Sequence, residues 1–416
     1  MSTRAGVVLP GIRLKAESQR RVARGHRWIF SNEIASKDDN VSDGGEVAVF
    51  SAAGEFLGSA LYSAKALIAG RLYSKASVRC DEGFLRAALA QAIAFRTRFH
   101  DEKEAYRVVY GDADGLPGLV VDAFNRVLVV SIQTVGMDLR RDIIIALLKE
   151  MLKPVAIIER SEGFVREIEG LPNVSEIVHG QVPSPHHAVF QKLKIPVDPM
   201  QGQKTGLFLD QAVNWRVAER WAKNAKVLDL FCHVGGWGLH ALVGGAKSVT
   251  AVDESGDALA GLKEALALNN LDDGRLRTLQ EDVFVFLRNC KEQYDLIVCD
   301  PPAFAKNRKS LPGALRGYGE INRLAMKHLE PGGILISCSC SHHVSRDDFF
   351  EMLQLAARDV RRQFRILPLD PGQSPDHAPL LSTPETTYLK VVALADQPDQ
   401  GVSLRRQEAG QETPIV

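Results

Sequence analysis

Two thiols stand close together near the end of Gly333-Ile-Leu-Ile-Ser-Cys338-Ser-Cys340-Ser341, an apolar run that reads as a strand with Cys338 and Cys340 near its carboxyl end. An appreciable fraction of a cysteine ionises near neutral pH, and the thiolate is a good nucleophile. Carbon 5 of a pyrimidine is a poor nucleophile. An enzyme that methylates it commonly first adds a thiolate to carbon 6, which makes carbon 5 enamine-like. The same residues equally read as small buried apolar side chains, a frequent use of cysteine. With His342 and His343 they also form a set of zinc-ligand types, but the spacing is too tight for the usual structural zinc patterns, and no metal is expected.

Tyr294-Asp-Leu-Ile-Val-Cys299 reads as a strand that ends in Asp300-Pro301-Pro302-Ala303-Phe304. Prolines there hold the backbone rigid, a carboxylate can bond the edge of a base, and an aromatic ring can stack on a base flipped out of its helix. Phe304 can instead be a core residue beside a turn.

A third group points to a nucleotide cofactor. The strand Ala225-Lys-Val-Leu-Asp229-Leu-Phe231 runs into Cys232-His-Val-Gly235-Gly236-Trp237-Gly238 and then a helix. A second strand, Ser248 to Val252, ends in Asp253, placed to accept hydrogen bonds from both ribose hydroxyls of an adenosine. The turn is not the dinucleotide glycine pattern. Asp229 at the strand end would repel a pyrophosphate yet could hold the ammonium of an amino acid, which favours S-adenosylmethionine over NAD. Asp282, after the next strand-like stretch, is a candidate for the adenine, and Phe231, Gly235 and Gly236 belong to the same cofactor set. The bland alternative is that the carboxylates close turns and the glycines allow close helix packing.

These residues need a parallel, doubly wound sheet to bring strand ends together, and beyond about Pro196 strand and helix patterns alternate at that spacing. Upstream, residues 1–75 show short alternating segments with glycine turns and read as a small β-barrel. Phe84, Leu85, Leu89, Ile93 and Phe99 recur at helical spacing over Asp81–Glu102, followed by strands around Arg107–Tyr110, Leu119–Asp122 and Val127–Ser131. A chain of 416 residues suits two or three such domains.

Composition sets limits on partners. Lys plus Arg and Asp plus Glu are both 51, so net charge gives nucleic-acid binding no support. The distribution is less even: Arg13, Lys15, Arg20, Arg21, Arg24 and Arg27 face one acid, Glu17, and lead into Trp28 and Phe30. Six cysteines without a Cys-x-x-Cys pair suggest free thiols in a reducing compartment, and no apolar stretch is long enough to span a membrane. A cytoplasmic, membrane-free protein is expected.

Taken together, Gly25-His-Arg-Trp-Ile-Phe-Ser-Asn32, Asp112-Ala-Asp-Gly-Leu-Pro-Gly-Leu119, Gly202-Gln-Lys-Thr-Gly206, Asp300-Pro-Pro-Ala-Phe304, Ser339-Cys340-Ser341 and Glu385-Thr-Thr-Tyr-Leu-Lys390 resemble the bacterial 23S ribosomal RNA cytosine-C5 methyltransferases that carry an N-terminal PUA domain. The resemblance covers nearly the whole chain. It implies an α/β fold class: a C-terminal Rossmann-like class I methyltransferase domain at 196–396, preceded by a PUA β-barrel at 1–75 and a middle α+β module at 76–195, with a flexible tail at 397–416. It implies S-adenosyl-L-methionine as cofactor, large-subunit ribosomal RNA as partner, Cys340 rather than Cys338 as nucleophile, and Asp300 as the residue that bonds the cytosine edge. Lys204 joins the expected cofactor set, and a homodimer is left open.

The chain departs from the family pattern in places. Ala303 stands where many RNA cytosine methyltransferases have a second cysteine, so no thiol from that motif resolves the covalent adduct. Ala212 and Trp215 occupy a segment that usually carries two arginines, and His233 and Val234 replace a Tyr-Thr pair. Two other functions stay in view: methylation of an exocyclic amine on an RNA base, which needs no thiol, and a non-catalytic RNA-binding assembly factor.

Overall fold

The computed structural model describes residues 8–101, 103–305, 307–368 and 372–398. It divides into two compact units: Met1–Asp210 with Ser374–Thr387, and Gln211–Gln373 with Tyr388–Val416. The tail expected from residue 397 onward lies, beyond 398, outside the described residues.

The first unit opens with a six-stranded sheet in the order Trp28–Phe30, Ile68–Ser74, Phe56–Tyr62, Glu46–Phe50, Gly11–Leu14, Ile34–Lys37. Its neighbours are antiparallel except for Gly11–Leu14 against Glu46–Phe50. Alternate positions Ile12 and Leu14, and Val47 and Val49, point into one core with Ile29 and Leu72.

The expected helix runs over Glu82–Arg96 and is capped by Asp81, whose carboxylate accepts the Phe84 N–H at 3.0 Å. It stops short of Phe99, which stays half exposed, and its last residue, Arg96, is buried and pairs with Asp114 at 2.6 Å. A five-stranded sheet follows, in the order Val174–Gly180, Ala156–Ser161, Val127–Ile132, Leu119–Phe124, Ala105–Tyr110. The acids of the Asp112-Ala-Asp114 turn are spent on arginines, Asp112 on Arg71 at 3.2 Å and Asp114 on Arg96.

Distant stretches join this unit through buried polar bonds. Thr205 donates to Asp122 at 2.5 Å, and Asp122 also takes both N–H groups of the Arg107 fork. Asp376 accepts the Arg107 N–H at 2.8 Å, while its carbonyl accepts from Arg96 at 2.9 Å. Residues 374–387 are held here for that reason.

The second unit starts with α1 (Ala212–Trp221) and then alternates strand and helix up to its last two strands: β1 (Lys226–Leu230), α2 (Gly236–Val243), β2 (Ser248–Asp253), α3 (Gly256–Leu268), β3 (Leu276–Gln280), α4 (Val283–Asn289), β4 (Tyr294–Cys299), α5 (Leu311–Lys327), β5 (Leu329–Ser339), α6 (Arg346–Asp359), β6 (Gln363–Leu367) and β7 (Lys390–Gln397). The sheet order is β3-β2-β1-β4-β5-β7-β6. β7 is antiparallel to both of its neighbours, while β1 to β5 pair in parallel.

Helices on both faces bury the central strands, which accordingly read as continuous apolar runs such as Leu296-Ile297-Val298-Cys299. Each such side chain contributes about 1.5–3 kcal/mol on burial. Asp229, fully buried in β1, breaks the pattern. The strand order reverses between β1 and β4, and that switch opens a crevice at the strands' carboxyl ends.

Candidate active site

β1 leaves the sheet through a turn that alternates into the left-handed region, with φ of +59° at Phe231, +50° at His233 and +78° at Gly235. Positive φ at Phe231 and His233 costs of order 1–3 kcal/mol each, so the turn must be held from outside. Cys232 N–H bonds Val252 O at 3.2 Å, Gly235 N–H bonds Cys232 O at 2.7 Å, and Asp253 accepts the His233 N–H at 2.9 Å.

The glycines are dictated by contact. A Cβ on Gly235 would sit 2.1 Å from Leu262, and one on Gly236 would sit 2.3 Å from the Trp215 ring. Trp215, where the family pattern usually has arginine nearby, therefore forms the wall against which α2 begins.

Four carboxylates converge on this crevice within the unit: Asp229, Asp253, Asp282 and Asp300. Asp229 accepts the Gly238 N–H at 2.9 Å through one oxygen; the other is buried and meets no donor among the described residues. Burial, with Asp300 and Asp253 adding repulsion, pushes its carboxyl up to about 8. Asp253 spends its two oxygens on His233 and Ser255 N–H groups, both at 2.9 Å, so it shapes the turn as well as facing the crevice. Asp282 caps α4 by accepting the Val285 N–H at 2.7 Å and hydrogen-bonds Glu254, whose carboxyl is raised in consequence. Glu254 went unnoticed in the sequence because only the fold brings it to Asp282.

Asp300, at the end of β4, is half buried. Gln211 donates to its two oxygens at 3.0 and 2.9 Å, and the Trp237 indole N–H donates at 3.0 Å. Neither partner was singled out from the sequence. Phe304 sits against Tyr318 with ring centroids 4.6 Å apart and against Phe284 at 6.4 Å, a partly buried core position that favours packing over stacking on a base.

The two thiols of β5 have different environments. Cys338 is fully buried, and burial raises its thiol well above the ordinary range. Cys340, just past the strand end, is half exposed, its sulfur 4.0 Å from the Pro301 carbonyl. Its neighbour Ser341 is fixed on three sides: Ala305 N–H donates to its hydroxyl at 3.2 Å, Tyr318 bonds the same hydroxyl at 2.9 Å, and Lys390 donates to its carbonyl at 2.6 Å. Lys390 also donates to Val344 O and Tyr388 O, at 2.9 and 2.7 Å.

Lys204 belongs to the first unit, where its ammonium pairs with buried Asp210 at 3.0 Å and lies 4.4 Å from the centre of the Phe208 ring. In the same unit Arg20, Arg21, Arg24, His26, Leu381 and Glu385 line a cleft of about 890 Å³. Arg21 is already engaged there, forked onto Glu33 at 2.8 and 2.9 Å.

Residues 12–75 match the PUA-like domain family, and residues 172–381 match the S-adenosylmethionine-dependent methyltransferase family. A protein named ribosomal RNA large subunit methyltransferase I, from Alteromonas mediterranea, is 36% identical over 383 residues, 91% of this chain and 96% of its own length. The chain belongs to the ribosomal RNA large subunit methyltransferase I family. A family member from Erwinia tasmaniensis is 34% identical over 379 residues, covering 89% of this chain and 96% of its own. Two solved structures share the fold at 22% identity, each over 92% of this chain and 99% of theirs. One, described as a methyltransferase complexed with SAH, has a TM-score of 0.81; the other, a SAM-dependent methyltransferase from Streptococcus mutans, has 0.79.

The expected α/β class, with a PUA-like region ahead of a methyltransferase domain, is thus borne out, and membership makes S-adenosylmethionine the cofactor. The crevice fits it: beside the glycine turn, Asp229 offers a buried oxygen that meets no donor among the described residues. Among the described residues no helix is long and apolar enough to cross a membrane.

Proposed function

We propose that this chain transfers a methyl group to carbon 5 of a cytosine in 23S ribosomal RNA through a covalent bond to Cys340. The observation that carries the reading is the contrast between the thiols: Cys340 is half exposed beside the Asp300-Pro301-Pro302 turn, while Cys338 is sealed in the sheet. The names of its relatives supply the substrate class.

Within the reading, Asp229 receives the cofactor's ammonium, Asp253 the ribose hydroxyls and Asp282 the adenine edge, with Phe231, Gly235 and Gly236 shaping the turn. S-adenosylmethionine, when bound, supplies a methyl group on a sulfonium. Asp300 accepts a hydrogen bond from the amino edge of the flipped cytosine and holds the ring against Cys340. The Cys340 thiolate adds to carbon 6, forming a carbon–sulfur bond and pushing the electrons of the 5,6 double bond onto carbon 5. Carbon 5 would take the methyl group as the methyl–sulfonium bond breaks and a neutral thioether leaves, and would then lose its proton to a base; elimination of Cys340 restores the double bond and the thiolate. With Ala303 in place of a second cysteine, no thiol in the Asp300 turn takes part.

The test is methyl transfer from labelled S-adenosylmethionine to ribosomal RNA from a methylation-deficient strain, followed by nucleoside mass spectrometry. 5-Methylcytidine with the wild type and none with Cys340→Ala supports the proposal. An N-methyl nucleoside, or a fully active Cys340→Ala, overturns it in favour of exocyclic amine methylation at Asp300.

A further inference from the structure

We infer that Gln211 and Trp237 are positioning residues that hold the Asp300 carboxylate fixed and ionised, and that Trp237 ties its place to the cofactor turn. The inference rests on the reading of Asp300 as the acceptor at the cytosine edge.

Asp300 is the last polar group before two prolines, and its surroundings come from separate elements. Gln211, 4% exposed at the start of α1, aims its amide N–H groups at both oxygens. Its orientation is over-determined. Fully buried Asn214, one turn further along α1, donates to the Gln211 amide oxygen at 2.8 Å and to the Gly372 carbonyl at 2.5 Å. Turning the Gln211 amide around would set its oxygen against a carboxylate and its N–H₂ against another N–H₂. The direction of donation therefore runs from Asn214 through Gln211 to Asp300.

Trp237, 3% exposed, donates to Asp300 Oδ2, an oxygen that Gln211 also reaches. It lies in the first turn of α2, and the next residue, Gly238, gives its backbone N–H to Asp229. Consecutive residues at one helix start thus hold two carboxylates, one on β1 and one at the end of β4. The helix dipole favours negative charge at that end. Anything that moves the cofactor turn moves the indole donor on Asp300 with it.

Among the described residues, Asp229 on β1, Cys299 on β4 and Cys338 on β5 sense Asp300. All are acids, so none of the three helps Asp300 ionise. The N–H groups of Gln211 and Trp237 oppose them by stabilising the charged form, as hydrogen bonds to a carboxylate do. A merely structural brace would lower activity equally at every pH; a brace that keeps Asp300 charged shifts the acid limb.

The experiment measures single-turnover methyl transfer from pH 5 to 8, at saturating S-adenosylmethionine, for wild type, Trp237→Phe and Gln211→Met. Gln211→Met keeps the side-chain bulk, Trp237→Phe keeps an aromatic ring, and each removes the donor. Cofactor affinity by calorimetry reports whether the variant is folded. The expected result is an acid limb moved up by about one pH unit in each variant, with a rate loss approaching about tenfold at the foot of that limb and recovery on its alkaline side. In parallel, the Trp237 indole ¹H–¹⁵N resonance of the wild type, one of four from the chain's tryptophans, should titrate with that acid limb. This second readout needs no destabilised protein. An unshifted acid limb in a folded variant, or an indole resonance that ignores pH through it, overturns the inference. If wild type yields no 5-methylcytidine, the reading of Asp300 itself has failed, which is a separate and recognisable outcome.

Discussion

The Cys340 sulfur lies 4.0 Å from the main-chain carbonyl of Pro301, so the thiol at the end of one strand and the carboxylate turn at the end of its neighbour face the same space. β4 and β5 pair in register, Cys299 against Ser337, which carries Cys340 beyond the edge of the sheet while Cys338 stays inside. Accessibility, more than cysteine chemistry alone, distinguishes the two. Brief alkylation of the native protein, read by peptide mass spectrometry, should modify Cys340 and spare Cys338. Cys338→Ala should keep methyl transfer within about threefold of wild type. Protection of Cys340 together with labelling of Cys338 would reverse the assignment.

Asp229 gives cofactor binding a proton signature. In the free protein its carboxyl is pushed up to about 8, so it is largely protonated at pH 7. An ammonium placed against it favours the charged form, lowers that value and expels the proton. Calorimetric titration at pH 7 in two buffers of different ionisation enthalpy should show proton release on S-adenosylmethionine binding, and Asp229→Asn should remove it. Without the cofactor, the folded state holds this proton where the unfolded chain has lost it, so Asp229 makes stability fall as pH rises from about 4 to about 8. Proton uptake on binding would contradict the assignment.

Lys390 fills the space behind Cys340. Its three N–H groups are matched to the carbonyls of Ser341, Val344 and Tyr388, and burial lowers its ammonium to about 8 despite the opposing effect of Cys340. Lys390→Met should leave those carbonyls without their donor, loosen the segment after Cys340 and slow methyl transfer by about tenfold or more. Cofactor affinity should change little, since Lys390 is on β7. Equal losses in affinity and rate would mean a general collapse of the unit instead.

In the first unit, Arg96 is 1% exposed, paired with Asp114 and bonded to the Asp376 carbonyl. Removing one member of a buried pair leaves the other charge uncompensated, at about 3–5 kcal/mol. Arg96→Met should lower the denaturation midpoint of this unit accordingly. A change within experimental error would show that Asp114 finds another partner.

Of the six basic residues grouped between Arg13 and Arg27, Arg20, Arg21 and Arg24 line the cleft. Arg21 is neutralised by Glu33, leaving Arg20 and Arg24 at the cleft. Charge reversal at Arg20 and Arg24 should reduce the salt slope of RNA binding by about one per lost phosphate contact, whereas Arg21→Gln should act mainly on stability. An unchanged slope in the double variant would take this face out of the RNA interface.

Much of the catalytic unit was legible because its signals are local. The turn from Phe231 to Gly238 shows its glycines, and Asp253 and Asp300 end strands that are apolar along their length. What the sequence hid depends on distant pairings. Gln211 lies 89 positions from the Asp300 it orients, and nothing in Leu209-Asp210-Gln211 marks an amide aimed at a carboxylate. Trp237 was visible only as a residue between glycines. Phe304 looked available for stacking because its motif is, whereas Tyr318, which claims it, comes from the middle of the next helix. Lys204 joins the expected cofactor set on resemblance alone, and its pairing with Asp210, six residues away, was not read from the sequence.

The central claim is a covalent bond between Cys340 and carbon 6 of the target cytosine. It is tested most directly by incubating the protein and S-adenosylmethionine with substrate RNA carrying 5-fluorocytidine, since fluorine at carbon 5 cannot leave as a proton does and the adduct persists. The account predicts a stable protein–RNA complex whose cross-linked peptide contains Cys340, absent in Cys340→Ala and retained in Cys338→Ala. Methylation of unsubstituted RNA with no adduct on the fluorinated RNA, or an adduct mapped to another residue, would contradict it.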